Sequence, residues 1–153
     1  TDNPQARILA DCLNQGIGKF LDEKKSPSRK VTQLDNRGSH FYLSLFWSEA
    51  LAGQEADREI AARFSPLFRG LKDKEHEILE ELANSQGSPV DLGGYYLPDE
   101  EKTSSAMRPS KIFNSLLSPL TNVSLHFIST KRKFLIYWSI INMSHSCSDF
   151  FHN

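Results

Sequence analysis

A chain of 153 residues with 39% hydrophobic and 24% charged residues is long enough for one domain with a real core, which excludes disordered and collagen-like classes. A formal net charge of −1 argues against a general nucleic-acid binder or a polybasic membrane protein, so any anion site has to be local. Cys12 and Cys147 lie near opposite ends without zinc or redox spacing, and a reducing, cytoplasmic setting is the expectation.

Asn3 is a suitable N-cap and Pro4 a suitable first helical residue, so a helix over residues 4–25 is expected at once and the chain reads as though it begins inside a domain. Ile8, Leu9, Cys12, Leu13, Ile17, Phe20 and Leu21 recur at helical spacing and give that helix one buried face. Gly16 and Gly18 weaken it by about 1 kcal/mol each relative to Ala, so packing has to hold it. Pro27 is expected to end it by disfavouring helical geometry at Ser26.

Ser26 to Lys30 then form a cationic, proline-punctuated loop, and Ser39 is the expected cap of a second helix. Unpaired amides at that helix start, with Arg29, Lys30 and Arg37, would make a seat for a phosphate group; the plain alternative is three solvated cations. Phe41, Tyr42, Leu43, Leu45, Phe46, Trp47, Ala50 and Leu51 spread around most of the second helix, which should therefore be central. Gly53 closes it and Gln54-Glu55 begins the next, with Ile60, Ala61, Phe64, Leu67, Phe68 and Leu71 on one side and Pro66 expected to kink or split it.

Asp73 starts a charged helix with Ile78, Leu79 and Leu82 as its apolar stripe, and Glu75, Glu77, Glu80 and Glu81 read as a solvated face. From Gly87 to Pro98 the density of breakers predicts an ordered surface crossing, followed by short helices over residues 99–107 and 110–117. Residues 118–153 contain no Ala, Gly or Glu and are rich in Ser, Phe, Ile and Asn. With three basic residues and one acidic residue the tail carries about +2 against about −3 for the body. Such a shift reads as a segment of different origin, from translation past a stop, a shifted frame or a fused exon. Phe134 to Met143 has strand propensity and is too short to span a bilayer.

The remaining chemistry is sparse. Glu75, His76 and Glu80 are the nearest approach to metal-ligand spacing, but they lie on the acidic stripe. Asp22 and Glu23 beside Lys24 and Lys25 read as surface charge balance, and His40 as a helix-start residue, because no nucleophile elbow accompanies it. Gly93-Gly94 is not a dinucleotide fingerprint; Tyr95 and Tyr96 could stack on a base, and Lys131 to Lys133 are too few cations for nucleic-acid binding.

The strings Phe20 to Lys30, Leu34 to Leu43, Ala61 to Pro66, Gly93 to Tyr96 with Pro98, and Met107 to Ser110 with Phe113 and Asn114 together resemble the C-terminal end of the monomeric, NADP-dependent isocitrate dehydrogenases. The resemblance covers residues 4–117, with 1–117 expected as a domain portion and 118–153 as an atypical tail. It implies a mainly α segment, the helical C-terminal portion of the small α/β domain of a two-domain enzyme. The implied reaction oxidises isocitrate with NADP and Mg or Mn and releases carbon dioxide to give 2-oxoglutarate, in the tricarboxylic acid cycle and beside the glyoxylate bypass, by an enzyme that is a monomer at full length. Metal ligands and catalytic groups would lie upstream, so this chain alone is expected to be inactive. The matched motif places at Arg29 the family's late arginine for the 2′-phosphate of NADP, a task that suits a guanidinium fork. Lys30 and Arg37 are weaker candidates by charge and proximity. The reading from another class is a non-catalytic helical module whose apolar faces and basic tail dock a partner.

Overall fold

A computed structural model of the chain describes residues 3–127, which fold into six helices without a strand among the described residues. They are α1 (Pro4–Asp22), α2 (Asn36–Gly53), α3 (Arg58–Asp73), α4 (Glu75–Asn84), α5 (Glu100–Met107) and α6 (Lys111–Phe127). The fold is mainly α, as the periodicity predicts. Phe134 to Met143, Lys131 to Lys133 and Cys147 lie outside the described residues. None of the described helices is long and apolar enough to cross a membrane.

Two compact units divide the chain: Thr1–Ser88 with Ser110–Leu116, and Pro89–Pro109 with Leu117 onward. In the first unit α2 is the central helix, packed on α1, α3 and α4. Phe41, Tyr42, Leu45, Phe46 and Leu51 are buried along it, joined by Cys12 of α1, Ile60, Phe64, Leu67 and Leu71 of α3, and Ile78 and Leu82 of α4. Fully burying one such side chain stabilises the fold by roughly 1.5–3 kcal/mol, so this cluster supplies the main driving force. Phe41 sits edge-on to both Tyr42 and Phe113, at 5.3 and 5.5 Å between ring centroids.

Helix α1 is capped as expected, with the Asn3 side chain accepting from the Ala6 amide. It stops earlier than Pro27 requires. The Lys24 and Lys25 amides donate back to the Leu21 and Phe20 carbonyls, at 3.0 and 3.1 Å, while Lys24 turns into the left-handed region with φ of 55°. Its apolar stripe is only partly covered, and Ile17 and Leu21 are exposed. Gly16 explains how α1 is held, because a Cβ there would lie 3.0 Å from the Trp47 backbone nitrogen of α2. The indole of Trp47 in turn donates to the Leu9 carbonyl.

The N-cap of α2 is Asp35 rather than Ser39: its carboxylate accepts from the Gly38 amide at 2.9 Å. Asp wins because it stands three residues before a free amide, whereas Ser39 lies inside the first turn. Likewise α3 begins after Asp57, which accepts from the Glu59 and Ile60 amides, while Gln54 bridges the Asp57 backbone instead of starting a helix. Pro66 does not split α3. The carbonyl it leaves without a helical donor belongs to Ala62, and both residues are exposed. Residues 61–66 are accordingly helical throughout.

Helix α4 starts at Glu75, one turn residue after Asp73 closes α3. Two of its glutamates leave the solvated face: Glu75 accepts from the Tyr42 hydroxyl, and Glu81 from the Ser110 hydroxyl at 2.6 Å and the Ile112 amide at 3.3 Å. Ser110, 1% exposed, also accepts from the Phe113 amide and so starts α6. That helix runs to Phe127, past the compositional shift at residue 118.

In the second unit residues 89–98 form the expected surface crossing, exposed throughout. It is ordered by its own bonds: Gly93 (φ 81°) donates to the Asp91 carboxylate, Lys102 pairs with Asp91, and the Asp99 amide donates to the Leu92 carbonyl.

Candidate functional site

The loop between α1 and α2 carries Arg29 and Lys30, and its shape follows from a short series of bonds. At its entry the Ser39 hydroxyl donates to the Lys25 carbonyl at 2.7 Å, fixing the loop to the first turn of α2. The Lys25 ammonium lies over the Tyr42 ring, 4.0 Å from its centroid. Further on, the Ser28 amide donates to the Leu34 carbonyl at 2.7 Å and closes the segment on itself. Within that closed segment the Ser28 hydroxyl donates to the Gln33 side chain and accepts from the Lys30 amide. Arg29 and Lys30 therefore project from an ordered turn, both exposed. Arg29 has no hydrogen-bond or ion-pair partner among the described residues.

The far side of the loop is gripped by Gln86, just beyond α4. Its side-chain oxygen accepts from the Thr32 amide at 2.8 Å, and its side-chain nitrogen donates to the Gln33 carbonyl at 3.0 Å. Nothing local in the sequence announces that contact, whose partners are 54 residues apart.

The phosphate seat pictured from the sequence is not assembled in full. The Asp35 carboxylate occupies the start of α2, and Arg37 donates to that carboxylate through Nε at 2.7 Å and Nη2 at 2.6 Å. A phosphate approaching those amides would meet a carboxylate, so Arg37 acts as the partner of the cap. The Asp-x-x-Gly spacing before the aromatic run is the signal that could have revealed this. Arg29 and Lys30 remain as the available cations.

The other candidates resolve into structure. Glu75 accepts from the Tyr42 hydroxyl, and no group of three metal-competent side chains occurs among the described residues. His40 is exposed, and Tyr95 and Tyr96, 71% and 94% exposed, meet edge-on in the second unit. Gly93 serves a turn: a Cβ there would lie 2.8 Å from that of Asp99. A small concavity bordered by Lys19, Glu23, Tyr42, Glu49, Lys72 and Glu75 has a volume of about 50 Å³. That is room for one or two waters and far below the roughly 300 Å³ at which ligand pockets begin.

These features define a mainly helical segment with an ordered turn on which Arg29 and Lys30 are exposed, and with no group of three metal-competent side chains among its described residues. Residues 1–118 match the family model for monomeric isocitrate dehydrogenase, and the chain belongs to that family. It is 53% identical over 118 residues to "Isocitrate dehydrogenase [NADP]" of Azotobacter vinelandii, 52% over 120 residues to "Isocitrate dehydrogenase [NADP] 2" of Colwellia maris, and 50% over 117 residues to "Isocitrate dehydrogenase [NADP] 2" of Mycobacterium tuberculosis. These alignments take in 76–78% of the chain but 16% of each relative, so the chain spans about one sixth of the length of the relatives it matches.

Proposed function

We propose that residues 1–117 are a C-terminal part of the small domain of an NADP-dependent isocitrate dehydrogenase, and that Arg29 contacts the 2′-phosphate of NADP. The observation that carries this reading is an exposed arginine without a protein partner, set on a closed turn beside Lys30, in a chain half identical to enzymes named for NADP. A guanidinium presents paired N–H donors in a plane that matches two phosphate oxygens, and Lys30 adds a second positive charge without fixed geometry. The cofactor would supply the hydride acceptor for oxidation of isocitrate. The contribution of this segment is to bind and to discriminate, since the 2′-phosphate is what separates NADP from NAD.

Among the described residues no group fits a Mg or Mn site; on this reading the metal's ligands lie upstream in the full-length enzyme. Isocitrate, a cytoplasmic setting, a monomeric state at full length and the separate origin of residues 118–153 are parts of the same proposal. A free-standing interaction module is less well supported, because the family match covers 118 residues and includes the helices such a module would need.

The test is Arg29→Ala in the full-length enzyme. Loss of a charge-assisted, two-point contact of roughly 1.5–3 kcal/mol predicts a KM for NADP raised about tenfold to a hundredfold, with the KM for isocitrate nearly unmoved. An unchanged cofactor constant would overturn the role of Arg29.

A further inference from the structure

We infer that Gln86 is a positioning residue for the cationic turn, holding Arg29 where its fork can meet a phosphate; the inference rests on the reading of Arg29 above. The turn lies in an irregular segment between α1 and α2, and its two cationic side chains have no partner among the described residues to orient them. A bidentate contact requires a fixed backbone beneath the guanidinium, since each unfrozen residue spreads the fork over orientations that cannot pair. The bond from the Ser28 amide closes the segment but does not attach it to the body of the protein. Gln86 does.

The carboxamide engages two successive backbone groups at once, accepting from Thr32 and donating to Gln33. Thr32 has a φ of 71°, a conformation that a β-branched residue adopts only under constraint, and the clamp acts at that residue. Its base is firm. The Gln86 amide donates to the Ala83 carbonyl at the end of α4, a helix seated in the core through Ile78 and Leu82. Gly87, at φ of 78°, then turns the chain so closely that a Cβ there would lie 3.2 Å from the Val31 side chain. The clamp thus links a helix of the core to the turn that bears Arg29. Only a carboxamide serves both bonds: glutamate lacks the donor, and alanine lacks both groups.

The experiment compares Gln86→Ala, Gln86→Glu, Arg29→Ala and the double variant Gln86→Ala with Arg29→Ala in the full-length enzyme. The expected result is a KM for NADP raised about fivefold by Gln86→Ala, with kcat and the KM for isocitrate unmoved. Gln86→Glu should raise it as well, and the double variant should match Arg29→Ala alone, because without the guanidinium there is nothing left to position. The Thr32 amide should exchange its hydrogen faster in Gln86→Ala with or without cofactor. If Arg29→Ala raises the NADP constant and Gln86→Ala does not, the positioning role is overturned while the reading of Arg29 stands. Unchanged exchange at Thr32 overturns the clamp itself, even where Arg29 proves silent. A fall in kcat with both substrate constants altered points to general damage and also overturns the inference.

Discussion

At Lys24 the chain leaves α1 with φ of 55°, a region where a Cβ crowds the following carbonyl and costs roughly 1–2 kcal/mol. Two backbone bonds from Lys24 and Lys25 to the last turn repay part of that strain. Glycine removes the crowding but enters folding from a more disordered unfolded chain, and it gives up a cation favourably placed at a helix C-terminus. The relief is the larger quantity. Lys24→Gly should therefore stabilise the protein by about 0.5–1 kcal/mol, read as a higher urea midpoint at unchanged slope. A lower midpoint would mean that the lysine charge outweighs the backbone strain. The sequence points to Pro27 as the stop because a proline is visible and a strained lysine is not. The left-handed turn follows from the backbone bonds and has no residue signature here.

Packing of α1 on α2 poses the same question at the scale of elements, and two glycines in one helix answer it oppositely. Around Gly18 no atom lies within 4 Å of an added Cβ, so Gly18→Ala should stabilise by about 1 kcal/mol through helix propensity alone. At Gly16 the added Cβ meets the Trp47 nitrogen at 3.0 Å and its Cα at 3.1 Å, both backbone atoms that cannot swing aside. Pushing two helices apart costs roughly 1–3 kcal/mol, which exceeds the same propensity gain. Gly16→Ala should accordingly destabilise while Gly18→Ala stabilises, as measured by thermal unfolding of the two variants side by side. Equal shifts would show that the close approach carries no weight. Sequence reasoning identifies both glycines as weak points and treats them alike, since periodicity says which face is apolar but not how near the partner helix comes. The same blindness explains the misplaced starts of α2 and α3. Ser39 and Gln54 are plausible starters, and only the amide geometry selects Asp35 and Asp57.

Over the whole molecule, the family strings and the apolar periods reveal a helical segment and the cationic turn, but not the long-range partners that set charge and position. Gln86 is silent in sequence, Arg37 is committed to Asp35, and Glu75 and Glu81, read as solvated, face Tyr42 and Ser110. Those hidden partners shape the pH dependence of stability. The Asp57 carboxyl is held below its ordinary 3.8, chiefly by the Ile60 amide and then by the Gln5 side chain and the Glu59 amide. Its contribution is complete above 3.8 and disappears as pH falls through the lower value of the folded state. At the other end, burial raises the Tyr42 phenol to about 12, helped by the bond to and charge of Glu75 and by Glu23. Lys25, over the ring, pulls in the opposite sense without reversing the shift. The stabilisation at Tyr42 is complete below 10.0 and is lost as pH rises from there through about 12. Urea midpoints taken across the pH range should therefore fall on the acid side below 3.8 and on the alkaline side, where the buried Cys12 thiol, raised from 9.0 by burial and then by Asp11, begins the loss that Tyr42 continues from 10.0. Asp57→Asn keeps a capping oxygen but cannot titrate, so its acid limb should be shallower. Tyr42→Phe should be less stable at neutral pH by about 1 kcal/mol, for the lost bond to Glu75, and should lose less stability between pH 10 and 12. Curves that run parallel to the parent at both ends would show that neither group is coupled to folding.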